Sequence, residues 1–148
     1  HEVQPQQERG VNDLETAAIK EVIDRHDGFV TWFTGRGDNA VMEAMEAVFP
    51  PGMVLISPDA SVCPYERLIP MLRDARGKRD RDFAITIDAP RIIWSAQDTV
   101  LVEYIERQVI GGEATARRST ALFTRADGTP NGVVWRHVHE TWIDPPRE

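Results

Sequence analysis

The sequence contains one cysteine, Cys63, among its 148 residues, so no disulfide can form within the chain. It has no apolar run near the roughly 18 residues that a membrane-spanning helix needs, and no stretch typical of a signal peptide. A chain without disulfides suits a reducing compartment. These absences predict a cytoplasmic protein that does not cross a membrane.

Excess positive charge is also missing, because the formal net charge is −7 at pH 7. The one basic cluster, residues 73–81, is diluted by Asp74 and Asp80. A protein that neutralises a phosphate backbone normally carries a clear basic patch. The sequence therefore predicts no nucleic-acid partner.

A third absence concerns catalytic motifs, since no phosphate-binding loop, Ser-His-Asp order or metal-binding spacing stands out. His137 and His139 would supply two metal ligands, and His26 or a carboxylate would have to complete the set. Zinc usually takes three or four protein ligands. We therefore predict neither a metal nor a cofactor.

The residues that are present suffice for one hydrophobic core. Hydrophobic residues make up 41% of the chain, which is typical of a globular protein rather than a disordered one. With no linker or repeat in view, we expect one domain over residues 13–143, with tails at residues 1–12 and 144–148.

Helical periodicity dominates the first half of the chain. A long amphipathic helix is predicted from a cap at Asn12 or Asp13 to Gly35 or Gly37. Its inward stripe recurs at steps of three or four residues: Leu14, Ala18, Val22, His26, Phe29 and Phe33. A second helix follows a cap at Asp38 or Asn39 and ends at Pro50, and a third starts with Pro64 as its first residue, with Pro70 bending it or shifting its start.

Strand periodicity dominates the second half. A short strand at residues 53–57 precedes four long ones at residues 83–95, 99–110, 115–125 and 133–143. Pro90 predicts a bulge or bend in the first long strand. Helices followed by a meander of strands indicate an α+β fold, in which a curled sheet wraps around a helix and leaves a pocket between them.

The last strand carries the candidate catalytic residues. Strict alternation places Trp135, His137, His139 and Thr141 on one face, predicted to line the pocket, and Val138, Glu140 and Trp142 on the other. The two histidines could act as acid, base or ligand anchor. The alternative is a hydrogen-bonded, inert pair at the pocket wall and rim.

Two carboxylates could assist those histidines. Asp59 could contact a ligand at the pocket mouth, or simply bond its own turn. Glu103 could move protons if it were buried among aliphatic side chains, or could instead form an exposed pair with Arg107.

Candidate ligand-binding residues come from neighbouring strands and from aromatic side chains. Arg118, which shares a face with Thr120, could hold a substrate carboxylate, or could pair across strands with Glu140. Four aromatic residues could line the pocket or serve as plain core: Phe29, Trp32, Trp94 and Trp135.

Several motifs in this order resemble the nuclear transport factor 2-like superfamily, in its SnoaL-like branch. They are Trp32-Phe33 followed by Gly37-Asp38, Phe49-Pro50, Ile56-Ser57-Pro58-Asp59, and Trp135-Arg136 leading to His139. The resemblance implies a cone of three N-terminal helices packed on a strongly curved, mostly antiparallel sheet. It also implies a homodimer formed through the outer sheet face, where Val138 and Trp142 could contribute.

The resemblance leaves the function open between three classes. The preferred hypothesis is a domain that binds a small apolar or aromatic molecule. The alternatives are a SnoaL-like lyase, isomerase or hydrolase using a pocket histidine with a carboxylate, and a non-catalytic dimerisation module. In similar ketosteroid isomerases an aspartate base precedes a proline, whereas here Ser57 precedes Pro58, and a serine cannot serve as that base unaided.

Overall fold

The computed structural model describes residues 5–147, with side chains described for residue 10 and residues 12–147. The helices are α1 (Pro5–Phe33), α2 (Asn39–Val48) and α3 (Tyr65–Asp74). The strands are β1 (Val54–Ile56), β2 (Val62–Pro64), β3 (Ala84–Ala96), β4 (Thr99–Ile110), β5 (Glu113–Arg125) and β6 (Val133–Asp144). None of these helices has the length and apolar character required to cross a bilayer.

The strands lie in one curved sheet in the order β2-β1-β6-β5-β4-β3. β1 runs parallel to β6, and the other neighbours are antiparallel. The three helices pack on this sheet, so the predicted α+β cone is confirmed. Extra residues curve the sheet: Ala89-Pro90 breaks the register of β3 as predicted, and β6 has register shifts of its own.

The inward stripe predicted for α1 is confirmed, because Leu14, Ala18 and Val22 are at most 1% exposed. The predicted start at Asn12 or Asp13 is wrong, since the helix already includes Pro5. Proline fits a first helical turn, whose N–H groups have no partner within the helix. Residues 5–12, which were predicted as part of an N-terminal tail, are thus helical, and residues 1–4 lie outside the described part.

The other helix boundaries follow local signals. The side chain of Asp38 accepts a hydrogen bond from the Ala40 N–H at 2.9 Å and caps α2. Pro64 caps α3 instead of being its first helical residue, and Pro70 lies inside that helix. The short strand β2 was not predicted, because it has only three residues and depends on pairing with β1.

The core lies between α1 and the concave face of the sheet. The side chains of Val100, Val102, Ala121 and Phe123 in the middle strands are fully buried there. Trp32 belongs to this core: its Nε1 donates to the Leu72 carbonyl at 2.7 Å and fastens α1 to α3.

Candidate functional site

A cavity of about 190 Å³ lies between the concave face of the sheet, the helices α1 and α3, and Phe49, which directly follows α2. Its wall is mainly apolar, and its apolar lining comprises Phe29, Phe33, Phe49, Met53, Leu55, Leu68, Met71, Leu72, Ile85, Trp135 and Val138. Met71 is 51% exposed, which places it at the rim. The volume lies below the roughly 300–1,000 Å³ typical of drug-sized ligands, so the space suits a small molecule.

Strand register builds a polar end to this cavity. Glu106 of β4 pairs with Arg117 of β5, and Ser119 of β5 pairs with Glu140 of β6. Ser119 also pairs with Tyr104 of β4, on the side away from β6. Because side chains two residues apart share a face, these rows lie next to each other on the concave side. Charged groups thereby meet at the one part of the wall that is not apolar.

His26 of α1 reaches into this polar end. Its Nδ1 lies 2.7 Å from the Val22 carbonyl oxygen and its Nε2 lies 3.0 Å from a carboxylate oxygen of Glu106. A carbonyl can only accept, so Nδ1 carries a proton and donates it. A second proton must then lie between Nε2 and Glu106, as in an imidazolium–carboxylate pair.

The ionisation of both partners supports the charged form of this pair. Burial lowers the pKa of His26, but the charge and hydrogen bond of Glu106 outweigh burial and raise it. Burial opposes ionisation of Glu106 as well, yet His26 and Arg117 bring its pKa down to about 2. Both side chains are about 6% exposed, so the pair is shielded from water.

Glu140 and Arg117 form the second half of the polar end. The carboxylate of Glu140 accepts from the Ser119 hydroxyl at 2.8 Å and from Arg117 Nη1 at 3.3 Å. Burial, and then the nearby charge of Glu106, raise the pKa of Glu140 against the opposing effects of Arg117 and Ser119. The Arg117 guanidinium also lies over the Trp142 ring, 4.8 Å from its centroid.

A separate buried network holds β6 against α1. Glu21 is fully buried and takes two hydrogen bonds from Arg25, at 2.8 and 2.9 Å. It also accepts from Trp135 Nε1 at 2.8 Å and from the Asn131 amide at 2.9 Å. This network positions the Trp135 ring, which forms part of the cavity wall.

Two of the predicted ligand-binding residues, Phe29 and Trp135, line the cavity. Trp32 does not, because its ring is held between α1 and α3 with the Arg76 guanidinium 5.2 Å from its centroid. Trp94 is 54% exposed and pairs with Leu101 on the outer face of the sheet. An extra residue at Ile93 turns it away from the core.

The prediction that His137 and His139 share an inner face with Trp135 is wrong. Phe123 pairs with Trp135 and Leu122 pairs with His137, so Arg136 is an extra residue in β6. This bulge reverses the alternation after Trp135. Val138 and Glu140 therefore point inward, and both histidines lie on the outer face.

The same bulge corrects the prediction for the opposite face of β6. Val138 was expected on an outer dimer patch but is 4% exposed and lines the cavity. Trp142 pairs with Arg117 on the inner face, under the guanidinium.

Glu103, Arg118 and Thr120 also lie on the outer face. Glu103 accepts from Arg91 Nε and Arg118 Nη1, each at 3.1 Å, so neither the predicted Arg107 pair nor the Arg118–Glu140 pair forms. An open outer groove is lined mainly by Leu101, Arg118, Thr120, Leu122, His137, His139 and Thr141. The roles in the pocket that were predicted for Glu103, Arg118 and Thr120 thus do not fit the cavity.

Asp59 lies in the turn between β1 and β2, away from the cavity. Its side chain is exposed and accepts from the Ser61 N–H at 3.0 Å, which also lowers its pKa. The local hydrogen bond of this aspartate, which was the alternative to a ligand contact, accounts for its geometry.

Within the described residues, no group of three or more His, Cys, Asp or Glu side chains is arranged to hold a metal.

Sequence reasoning missed the roles of His26, Glu106, Arg117 and Glu140. One signal was available: Glu106 shares a face of β4 with Val100, Val102 and Tyr104, and a carboxylate in line with such residues suggests burial with a partner. The partner, His26, lies 80 residues away in sequence. No local pattern could have paired them.

Fold and cavity define a nuclear transport factor 2-like domain. A nuclear transport factor 2-like protein of unknown function from Pseudomonas aeruginosa superposes with a TM-score of 0.77 at 25% identity, covering 86% of this chain and 98% of that one. The CaMKII hub of S. rosetta superposes with a TM-score of 0.64 at 12% identity, covering 97% and 100%. The superfamily prediction is confirmed, and the SnoaL-like branch stays a prediction.

Within that class, the chain belongs to the Sucrose-6-phosphate phosphohydrolase C-terminal family, whose model matches residues 31–144. It is similar to sucrose-phosphatase 1 of Nicotiana tabacum, with 27% identity over 127 residues. That alignment covers 83% of this chain and 30% of the tobacco enzyme. The chain therefore spans less than a third of that relative's length.

Proposed function

We propose that residues 13–143 form one domain that binds a small, largely apolar molecule in the cavity. The observation that supports ligand binding is the combination of apolar walls with a polar end made of His26, Glu106, Arg117 and Glu140. Ligand pockets commonly combine apolar walls with a few fixed polar groups that set orientation.

The single half-buried cysteine, Cys63, supports a cytoplasmic location for this domain.

A filled cavity tests this proposal. Ile85 lines the cavity on β3, and Ile85→Trp adds bulk there without opposing strand formation. Thr86→Trp is the matched control, because the next residue of the strand points to the opposite face and is exposed.

The measurement is ligand-observed NMR with a panel of small aromatic and aliphatic compounds, together with sucrose and sucrose 6-phosphate as polar comparators. We expect saturable binding of apolar members, abolished in Ile85→Trp and retained in Thr86→Trp. Equal binding to both variants, or none to the wild type, would contradict the proposal.

The alternative is acid–base chemistry of a SnoaL-like lyase, isomerase or hydrolase, and it is favoured by the buried His26–Glu106 pair. Both ring nitrogens of His26 are already engaged, with Val22 and Glu106, which supports binding over turnover. A version using His137 or His139 with Asp59 or Glu103 would have to act outside the cavity. Mass spectrometry of the ligands after incubation distinguishes binding from turnover. A product that forms with the wild type but not with Glu140→Gln would favour the enzyme.

We also propose that the outer sheet face joins two copies of this chain. Trp94 is 54% exposed there, beside Leu101, and exposed apolar surface of this kind marks interfaces. Two fold neighbours are a CaMKII hub and a kinase association domain, which agrees with a role in self-association.

Light scattering after gel filtration tests this interface. We expect twice the chain mass of 16.7 kDa for the wild type and the single-chain mass for Trp94→Arg. Val62→Arg is the control, because Val62 is similarly exposed, at 51%, but lies on β2, at the opposite edge of the sheet from β3. A wild type with the single-chain mass would contradict the dimer.

A further inference from the structure

Arg117 has a buried hydrogen-bond donor that has no acceptor among the described residues. Its Nε is shielded from solvent and has no hydrogen-bond acceptor among the described residues. Its Nη1 makes one long contact with Glu140, at 3.3 Å. Buried N–H groups nearly always have a partner, so a bare one beside a cavity points to a group that is supplied from outside.

The shape of a guanidinium restricts what that group can be. Nε and one terminal nitrogen form a planar edge with two parallel N–H groups, which fits the two oxygens of a carboxylate. Arg117 lines the cavity together with the aromatic rings of Phe29, Phe33 and Phe49. A ligand with one carboxylate and an apolar remainder matches both parts of the wall.

The charges around Arg117 permit an anion under one condition. Its neighbours are Tyr104 and Glu106 on β4, Ser119 on β5 and Glu140 on β6, and His26 on α1 lines the same cavity. Glu106 is already neutralised by His26. Among the described residues, Glu140 alone accepts a hydrogen bond from the guanidinium, and protonation of Glu140 would release it.

Building on the proposed function, we propose that the cavity binds a small organic acid whose carboxylate is held by the Arg117 guanidinium and whose apolar part lies against the phenylalanines. Binding brings a third carboxylate to two cations, so Glu140 takes up one proton from solvent and charge balance is kept. Burial raises the pKa of Glu140, which favours this proton uptake. The protonated Glu140 keeps its hydrogen bond to Ser119.

Phenylacetate and its amide, phenylacetamide, are the probes, because they differ in charge but hardly in shape. Calorimetry on the full chain should show phenylacetate binding about tenfold or more tightly than phenylacetamide. Arg117→Gln should lose about tenfold or more of the affinity for the acid. Arg125→Gln should keep it, because Arg125 lies on the same strand in an exposed pair with Asp98.

The pH dependence tests the proton. As pH is raised from about 6 through the raised pKa of Glu140, wild-type affinity for phenylacetate should fall, because Glu140 ionises in the free protein. Glu140→Gln, which mimics the protonated carboxyl, should bind the acid with a flatter dependence over that range. If Arg117→Gln does not fold, Arg117→Lys serves, since it keeps the charge without the planar edge and should also weaken binding.

The outcomes distinguish this inference from the proposed function. Equal binding of acid and amide would overturn carboxylate recognition while cavity binding stands. Full affinity in a folded Arg117→Gln or Arg117→Lys would likewise overturn it. Absence of binding for both probes and for the whole ligand panel would overturn both proposals.

Discussion

Glu21 and Trp135 are 114 residues apart in sequence and are joined by a hydrogen bond of 2.8 Å in the core. The same carboxylate takes both donors of the Arg25 fork, so one buried acid fastens β6 to α1. The indole that it fixes forms part of the cavity wall. Stability of the fold and shape of the cavity thus depend on one network.

The first prediction concerns this network. Glu21→Gln should lower the free energy of unfolding by about 3 kcal/mol, because it leaves Arg25 buried without its counter-charge. Urea denaturation monitored by circular dichroism measures the loss. Lys20→Gln is the control: it breaks the exposed Lys20–Asp24 pair one residue earlier and should cost less than about 1 kcal/mol.

The double variant Glu21→Gln/Arg25→Gln sharpens the test. Removing the orphaned charge should recover part of the stability lost in Glu21→Gln. A loss in Glu21→Gln no larger than in Lys20→Gln would show that this network contributes little.

The second prediction concerns pH. The pKa of His26 is raised in the folded protein, so its contribution to stability is complete below its unfolded pKa and disappears as pH rises through the folded value. Glu106, with a folded pKa of about 2 against an ordinary value of 4.5, contributes above pH 4.5 and loses its contribution as pH falls toward 2. The pair should therefore stabilise the fold most between these two limits.

Comparison with His26→Gln isolates the alkaline side. The variant should be less stable than the wild type at pH 6, and the difference should shrink toward pH 9. His137→Gln, on the outer face, is the control and should cost less stability at pH 6 than His26→Gln. A constant difference for His26→Gln in thermal unfolding across that range would argue against the imidazolium.

The third prediction separates backbone strain from crowding at two glycines with positive φ. Gly37 has φ +76°, and a Cβ there would lie 2.8 Å from Thr31 Cγ2 and 2.9 Å from Val41 Cγ2. Gly52 has φ +91°, with nothing within 4 Å of a Cβ. Gly52→Ala should cost about 1 kcal/mol for the left-handed conformation alone, and Gly37→Ala about 1–3 kcal/mol more for overpacking.

The midpoint of urea unfolding checks both variants under the same conditions. Equal losses would mean that Thr31 and Val41 move aside at no cost. In that case the turn between α1 and α2 would be less tightly packed than the distances imply.

Much of the fold could be predicted because its signals are local. The stripe from Leu14 to Phe33 follows helical periodicity, and Pro90 announces the break in β3. Strand alternation on β4 places Val102 and Tyr104 together on the inner face, as observed. These features depend on neighbours in sequence, where periodicity is informative.

The candidate site could be predicted only in part, because one residue decides its sidedness. The extra residue Arg136 reverses the facing of everything after Trp135, so strict alternation assigned His137 and His139 to the inner face. Arg136 is exposed and donates to the Thr124 hydroxyl at 2.9 Å, a contact that exists only once β5 lies alongside. The bulge is a tertiary feature without a local sequence signal.

The last prediction tests that correction. His137→Ala and His139→Ala should leave the affinity for phenylacetate unchanged, since both side chains lie across the sheet from the cavity. Val138→Phe, between them in sequence but facing inward, adds bulk to the cavity wall. The added ring occupies space that the ligand needs, so the affinity should fall by about tenfold or more, which is about 1.4 kcal/mol or more of binding free energy. If the histidine variants lose affinity while Val138→Phe keeps it, β6 has the uninterrupted alternation and the Arg136 bulge is absent in solution.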